Sequence, residues 1–168
     1  VVEALLEMTG LETIERRDHI SLFALTEEVL CDLAQVAEEK KVALVQDPGD
    51  AELTGSDTLL YRAVYNLVEN AIKYNLPGGK VFVSVCRDGD QVLLEVADTG
   101  IGIPPEAQSR VFERFYRVDK GRARKNGGTG LGLAIAKEIV TLHGGSISAH
   151  SEQGVTTFTV ELPTKKSL

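Results

Sequence analysis

The chain has 168 residues, of which 43% are hydrophobic and 26% are charged, as in one ordinary globular domain. This composition excludes collagen-like, mucin-like and wholly disordered proteins. The 18 basic and 25 acidic residues give a net charge of −7, so we expect no nucleic-acid partner. No apolar run approaches the roughly 20 residues needed to cross a bilayer.

The first part of the chain predicts a helix, a linker, a second helix and a strand. Apolar residues recur at helical spacing over residues 1–18, and ISLFAL at 20–25 favours a short strand or linker. Residues 26–41 form an amphipathic pattern that Thr26 can cap. VALVQD at 42–47 then indicates a strand.

The rest of the chain alternates helices with strand pairs. Ser56 can cap a helix that runs to about Tyr74, and Asp88-Gly89-Asp90 is typical of a hairpin turn. The remaining predicted elements are strands at 80–87 and 91–97, a helix at 131–143, and strands at 146–151 and 156–162. The predicted fold class is α/β (α+β), a two-layer sandwich with a mixed, mostly antiparallel sheet and helices on one face.

Three polar residues share one face of the helix that follows Ser56. At 100° per residue, Asn66, Asn70 and Lys73 fall within about 60° of one another. An amide oxygen is a hard ligand suited to Mg²⁺, and an ammonium group can meet the phosphates that share the ion. The alternative is an ordinary solvated polar face.

Two glycine segments are candidate nucleotide contacts. In DTGIGIP at 98–104, the Asp98 carboxylate at a strand end could accept a hydrogen bond from an exocyclic amine. GGTGLG at 127–132 precedes a helix, where exposed backbone N–H groups can bind an anion. Neither the GxGxxG pattern nor a Walker A motif occurs. Ordinary loop turns are the alternative for each segment taken alone.

The order of these motifs resembles the catalytic, ATP-binding domain of sensor histidine kinases. Such domains belong to a superfamily that also includes DNA gyrase, the ninety-kilodalton heat-shock chaperone and the mismatch-repair ATPases. NLVENAIKYN at 66–75 is similar to the N box, DTGIGIP at 98–104 to the G1 box, and FERFYRVD at 112–119 to the F box. The stretch at 127–145 is similar to the G2 box and its helix, and the resemblance covers residues 20–163.

The resemblance implies a Bergerat ATP-binding fold with ATP and Mg²⁺ as cofactors. It assigns Mg²⁺ to Asn70 and Asn66, a phosphate to Lys73, and the adenine amine to Asp98. The other implied nucleotide contacts are Tyr74, Gly100, Gly102, Ile103, Tyr116, Gly128, Thr129, Gly130, Leu131, Gly132 and Thr157. Val155 stands where relatives often have Gly, which leaves the roles of Thr156 and Thr157 open.

A basic segment lies where the family has its mobile ATP lid, residues 116–130. Five basic residues and one acid occur at 117–125, a local charge of +4 in an acidic chain. The resemblance implies that Arg114 or Arg117 neutralises the transferring phosphoryl group. The alternative for this segment is a solvated basic loop.

The residue at position 66 favours phosphoryl transfer over hydrolysis. Hydrolysing members of the superfamily and anti-sigma serine kinases carry a Glu general base there, and an amide cannot take a proton from water. The resemblance therefore implies a protein-histidine kinase. The alternatives are a degenerate ATP-sensing module, or an ATPase or serine kinase of the same fold.

The phosphoacceptor histidine is expected on a separate helical hairpin. Residues 1–18 are interpreted as the remnant of that hairpin's second helix, 19–163 as the catalytic domain and 164–168 as a tail. His19 and His150 lack the acceptor context, and His143 lies at a helix C-terminus, where an imidazolium is mildly favoured. We therefore expect no autophosphorylation by this chain alone.

The resemblance also implies partners and a location. The acceptor hairpin would pass phosphate to an aspartate on a response regulator. The parent protein is expected to be a homodimeric, membrane-anchored sensor with this domain in the cytoplasm, and this chain alone to be monomeric. Cys31 and Cys86 show no paired spacing, so we expect them to be free thiols.

Overall fold

The computed structural model describes residues 10–113 and 132–165. Its helices are α1 (Leu22–Asp32), α2 (Ala34–Lys40), α3 (Asp57–Lys73) and α4 (Gly132–Leu142). Its strands are β1 (Asp18–Ser21), β2 (Ala43–Gln46), β3 (Glu52–Gly55), β4 (Lys80–Asp88), β5 (Gln91–Asp98), β6 (Ser146–Glu152) and β7 (Val155–Pro163). Short 3₁₀ turns occur at Leu11–Thr13 and Pro105–Ala107.

The main sheet has five strands in the order β2-β4-β5-β7-β6. Strand β2 pairs with β4 in parallel, and the other three pairings are antiparallel. Strands β1 and β3 form a separate antiparallel pair. The predicted fold class, a mixed and mostly antiparallel sheet with helices, is confirmed.

The core lies between one face of this sheet and the helices. Alternate residues of β5 and β7 are buried, as period-two patterning requires. Helices α3 and α4 contribute their apolar stripes to the same core and pack against each other. The buried side chains of these two helices are Leu59, Leu60, Ala63, Val64, Leu67, Val68, Ala71, Ile72, Ala134, Ile135, Ala136, Ile139 and Val140.

Several local predictions for the chain from Ser56 onward are confirmed. The Ser56 hydroxyl caps α3 by accepting a hydrogen bond from the Leu59 N–H at 3.2 Å. Helix α3 ends at Lys73, with Tyr74 as its C-cap residue. The β4–β5 hairpin, α4 and the β6–β7 pair occur within two residues of their predicted bounds.

The first half of the chain differs from the prediction. Helix α1 begins at Leu22, not at Thr26, because Ser21 caps it and the Asp50 carboxylate accepts hydrogen bonds from the Phe23 N–H at 2.9 Å and from the Ser21 hydroxyl at 2.8 Å. Thr26 is buried and donates to the Phe23 carbonyl. The predicted single helix is interrupted at residue 33, between α1 and α2.

The region before α1 was also predicted differently. Residues 10–18 contain a 3₁₀ turn and extended chain instead of helix, and residues 1–9 lie outside the described residues. The domain boundary at 18 and 19 stays a prediction. Cys31 and Cys86 are both free and exposed. Among the described helices, none is long and apolar enough to cross a bilayer.

Phe158 on β7 is a suitable probe of this core. It is 1% exposed and makes an edge-to-face contact with Phe112, with ring centroids 6.0 Å apart. We expect Phe158→Ala to lower the free energy of unfolding by about 3–5 kcal/mol, because it leaves a cavity. Val155→Ala on the same strand, at an exposed position, should change it by less than about 1 kcal/mol. Urea denaturation measures both, and equal losses would contradict the placement of the core.

Candidate functional site

A buried carboxylate marks one end of the candidate site. Asp98 is the last residue of β5 and is 5% exposed. Its Oδ1 accepts a hydrogen bond from the Gly100 N–H at 2.9 Å, and no other described residue donates a hydrogen bond to this carboxylate. Burial raises the pKa of Asp98 to about 6, and the Gly100 bond opposes that rise. The carboxylate is therefore ready to accept a hydrogen bond from a ligand.

The loop after Asp98 is attached to the end of α3. The Ile101 N–H donates to the Tyr74 carbonyl at 3.1 Å. Gly100 lies so close to that carbonyl that a Cβ at position 100 would collide with it. A residue without a side chain is needed at this position, which accounts for the first glycine of DTGIGIP. The end of α3 and the carboxylate are thereby held as one unit.

Asn75 and Lys40 complete the attachment of α3. Asn75 is buried, donates from Nδ2 to the Lys80 carbonyl at 3.0 Å, and accepts from the Leu76 N–H at 2.8 Å. The Lys40 ammonium group donates to the Lys73 carbonyl at 2.7 Å, at the negative end of the helix. Sequence reasoning missed both residues, since only their distant partners reveal their roles.

The polar stripe of α3 lies beside the start of α4. Asn66 donates from Nδ2 to the Gly132 carbonyl at 3.2 Å, so the structure brings these two predicted residues together. Asn70 is half-buried, and its side chain forms no hydrogen bond with any described residue. Lys73 forms an ion pair with Glu69 at 3.6 Å, and both side chains are one third exposed. Amide oxygens and an ammonium group therefore occupy one surface.

A second group of polar side chains supports the loop around Gly102 and Ile103. The Ser151 hydroxyl accepts from the Ile103 N–H at 3.2 Å and lies beside Gly102. Gln108 donates to the carbonyls of Ile103 at 3.1 Å and Ser151 at 3.3 Å. Ser151 and Thr156 are joined by a 2.9 Å hydrogen bond between their hydroxyl groups. Ser151 and Gln108 are further residues that sequence reasoning missed.

The structure separates the two candidate threonines of β7. Thr156 is 3% exposed and is paired with Asp98 in the sheet register. Thr157 is paired with Ala97 and is half-buried on the opposite face, because neighbouring residues of a strand alternate between faces. The structure thus brings Thr156, and not Thr157, to the side of the carboxylate.

Seven predicted site residues lie outside the described part of the chain. They are Arg114, Tyr116, Arg117, Gly128, Thr129, Gly130 and Leu131. The basic run at 117–125 lies there too. Their roles stay predictions. The predicted site residues that the structure describes are Asn66, Asn70, Lys73, Tyr74, Asp98, Gly100, Gly102, Ile103, Gly132 and Thr157.

Comparison with known proteins identifies the family. Residues 55–166, more than half of the chain, match the model of the histidine kinase-, DNA gyrase B- and HSP90-like ATPase family. The chain belongs to this family, and the relatives and solved structures that it resembles within the family are histidine kinases.

Curated relatives of the chain are sensor histidine kinases. Sensor histidine kinase RppB of Synechocystis sp. is 44% identical over 140 residues, covering 83% of this chain and 30% of the relative. Sensor-like histidine kinase SenX3 of Mycolicibacterium smegmatis is 38% identical over 168 residues, covering 97% of this chain and 44% of the relative. The chain therefore spans less than half the length of these relatives.

Solved structures that superpose on this chain are also histidine kinases. The mycobacterial sensor histidine kinase MprB superposes with a TM-score of 0.75 at 28% identity, covering 90% of this chain and 99% of that one. The nucleotide-free catalytic domain of histidine kinase ThkA gives a TM-score of 0.78 at 25% identity, covering 89% of this chain and 97% of that one.

The raised pKa of Asp98 predicts a pH-dependent cost in stability. The carboxyl has a pKa of about 6 when folded and near 3.9 when unfolded. The protonated Asp98 carboxyl therefore favours the folded state. This contribution to the free energy of unfolding is complete below the unfolded pKa and is lost as pH rises through about 6. Asp98→Asn should then be more stable than the native domain at pH 8, by about 1–3 kcal/mol, with the difference vanishing near pH 4.

Urea denaturation at both pH values measures this difference. Asp88→Asn at an exposed position of β4 is the control and should show no such pH-dependent gain. A stability difference between Asp98→Asn and the native domain that does not depend on pH would contradict the raised pKa of the buried Asp98 carboxyl.

Proposed function

We propose that this domain binds Mg-ATP and transfers the γ-phosphoryl group to a histidine on a separate helical hairpin. The observation that carries the proposal is the buried Asp98 carboxylate, which has one hydrogen bond from the described residues and a raised pKa. A group that donates an N–H to this carboxylate relieves the cost of its burial. The exocyclic amine of adenine supplies such a donor.

The polar stripe of α3 fits the phosphate end of the nucleotide. Asn70 has an amide oxygen that no described residue engages, and Asn66 uses only its Nδ2 on Gly132. Two amide oxygens fit the hard-oxygen preference of Mg²⁺. When bound, this ion neutralises the charge on the phosphates.

Lys73 is a cation that phosphate can recruit. Its ion pair with Glu69 is one third exposed, and exposed pairs contribute little to stability. Exchange of the Glu69 carboxylate for a phosphate oxygen therefore costs little. In the same proposal, Arg114 and Arg117 neutralise the transferring group, Tyr74 and Tyr116 lie against the nucleotide, and Gly128, Thr129, Gly130, Leu131 and Gly132 contact phosphates.

The adenine side of the proposal includes Thr156. Its hydroxyl lies on the buried side of β7 and is joined to Ser151, which holds the Ile103 loop. Thr157 faces away from this side, so we assign the supporting role to Thr156. Gly100 and Gly102 allow the loop its close approach to the neighbouring backbone and hydroxyl.

The amide side chain at position 66 favours transfer over hydrolysis. A Glu at this position could not donate to the Gly132 carbonyl, whereas the amide does so at 3.2 Å. The amide also cannot act as a base toward water. The γ-phosphoryl group is then available to a protein acceptor.

The proposed partners and location of the parent protein are based on the histidine kinases that this chain resembles. We propose that the acceptor hairpin belongs to the same parent kinase and passes phosphate to an aspartate on a response regulator. One solved relative, ThkA, has been crystallised with the response regulator TrrA. The parent is proposed to be a homodimeric membrane sensor that holds this domain in the cytoplasm.

ATP titration by calorimetry tests the nucleotide site. Asp98→Asn should weaken ATP binding by about 10- to 100-fold, because an amide N–H replaces an acceptor opposite the adenine amine. Asn70→Ala should remove most of the affinity gained on adding Mg²⁺. Asp88→Asn changes charge equally but lies on the exposed end of β4, so it should bind as the native domain does. An unchanged affinity for ATP in Asp98→Asn would contradict the assignment of Asp98 to the adenine amine.

Transfer is tested with radiolabelled ATP and a cognate acceptor hairpin added in trans. We expect labelling of the hairpin histidine, no labelling of this chain alone, and slow ATP turnover. Asn66→Glu should raise turnover without acceptor, because it introduces a base, and Asn66→Ala is the control that removes the amide without adding one. ATP binding without transfer would favour the degenerate-module alternative, and fast native turnover the ATPase alternative.

A further inference from the structure

The imidazole of His143 joins the end of α4 to the start of α3. Its Nδ1 lies 2.8 Å from the Ile139 carbonyl, and its Nε2 lies 3.0 Å from the backbone nitrogen of Ser56. A backbone N–H can only donate, so Nε2 must be the acceptor and carry no proton. Nδ1 then carries the proton and donates to Ile139. The two contacts together select one neutral tautomer.

This state differs from the imidazolium that the helix C-terminus would favour. Burial lowers the pKa of His143, the Ile139 carbonyl acts in the opposite direction, and the Arg16 charge lowers it further. A protonated ring would present an N–H to the Ser56 N–H, where no acceptor remains.

The neighbouring backbone is shaped to receive the ring. A Cβ at Gly55 would lie 2.6 Å from Cδ2 and 2.8 Å from Nε2 of His143, so only glycine leaves room for the imidazole. Ser56 caps α3, and the Asp57 N–H donates to the Asp18 carboxylate at 3.0 Å. The start of α3 is therefore held by β1, by its own cap and by α4.

A second contact joins the same two helices at the other end of α4. Asn66 donates to the Gly132 carbonyl at 3.2 Å. At 1.5 Å per residue, Ser56 and Asn66 are about 15 Å apart along α3, and Gly132 and His143 about 16 Å along α4. These near-equal lengths allow both contacts to form at once between antiparallel helices. Sliding one helix along the other would break both.

We propose that His143 is a positioning residue for the nucleotide site, which it serves by holding α3 and α4 in the register that brings Asn66 to Gly132. This inference rests on the proposed function, because Asn66, Asn70 and Lys73 are its nucleotide-binding residues. His143 does not touch the nucleotide in this scheme. It acts through α3.

Two amide variants separate this role from general support of the fold. In His143→Gln, the side-chain oxygen can reach the position of Nε2 and accept from the Ser56 N–H. In His143→Asn, the shorter amide reaches only the position of Nδ1, so the contact with Ile139 can form and the contact with Ser56 cannot. The two variants have the same chemistry and differ by one methylene.

The readouts are the NMR signals of the Asn66 side-chain amide and the affinity for ATP, under conditions where each variant is folded. We expect His143→Asn to shift the Asn66 signals and to weaken ATP binding by about 10-fold. His143→Gln should retain most of both. Val29→Ala, which truncates a buried side chain of α1, is the control for lost stability and should change neither.

The outcomes are distinct. If His143→Asn and His143→Gln both leave the Asn66 signals unchanged, or if Val29→Ala shifts them equally, the positioning role is overturned. If the native domain binds no ATP but His143→Asn still shifts the Asn66 amide, the helix register is supported while the proposed function fails. Normal ATP binding in both amide variants, with shifted Asn66 signals, would overturn the link to the nucleotide site.

Discussion

The burial of one carboxylate at the end of β5 constrains everything around it. Asp98 is 5% exposed, yet the described residues give it a single hydrogen bond, from the Gly100 N–H. An ionised carboxylate in such surroundings is unfavourable unless it is paired or hydrogen-bonded. The loop that carries its one donor is itself attached to the Tyr74 carbonyl on one side and to the Ser151 hydroxyl on the other. The end of α3, the loop and the β6–β7 pair therefore converge on one point.

This arrangement separates stability from binding. The apolar stripes of α3 and α4 and the inner faces of β5 and β7 supply the burial that holds the domain together. Among the described residues, the three whose side chains are proposed to meet the phosphates or Mg²⁺, Asn66, Asn70 and Lys73, are only half-buried. Substitution of these residues is therefore expected to change nucleotide affinity far more than the free energy of unfolding. Substitution of Asp98 is expected to lower the affinity and raise the stability.

Short-range signals in the sequence predicted the elements that short-range forces determine. The Ser56 cap, the Asp88-Gly89-Asp90 turn and the period-two strands depend on neighbours within four residues, and each is confirmed. The start of α1 was wrong although Ser21 caps the helix locally, because Asp50, 27 residues away from Phe23, provides the second acceptor at this helix start. Only the sheet register could distinguish Thr156 from Thr157, and only the contact of His143 with the distant Ser56 N–H reveals that its ring is neutral.

The fit between Gly55 and His143 has a consequence for how such a chain can change over time. A side chain at position 55 would collide with the ring, while a smaller residue at 143 would leave the Ser56 N–H without its acceptor. Neither position can vary alone without loss, so their energetic effects are coupled and not additive. Substitution of both residues together can avoid these losses. Positions 55 and 143, which are 88 residues apart in the chain, are therefore expected to change together.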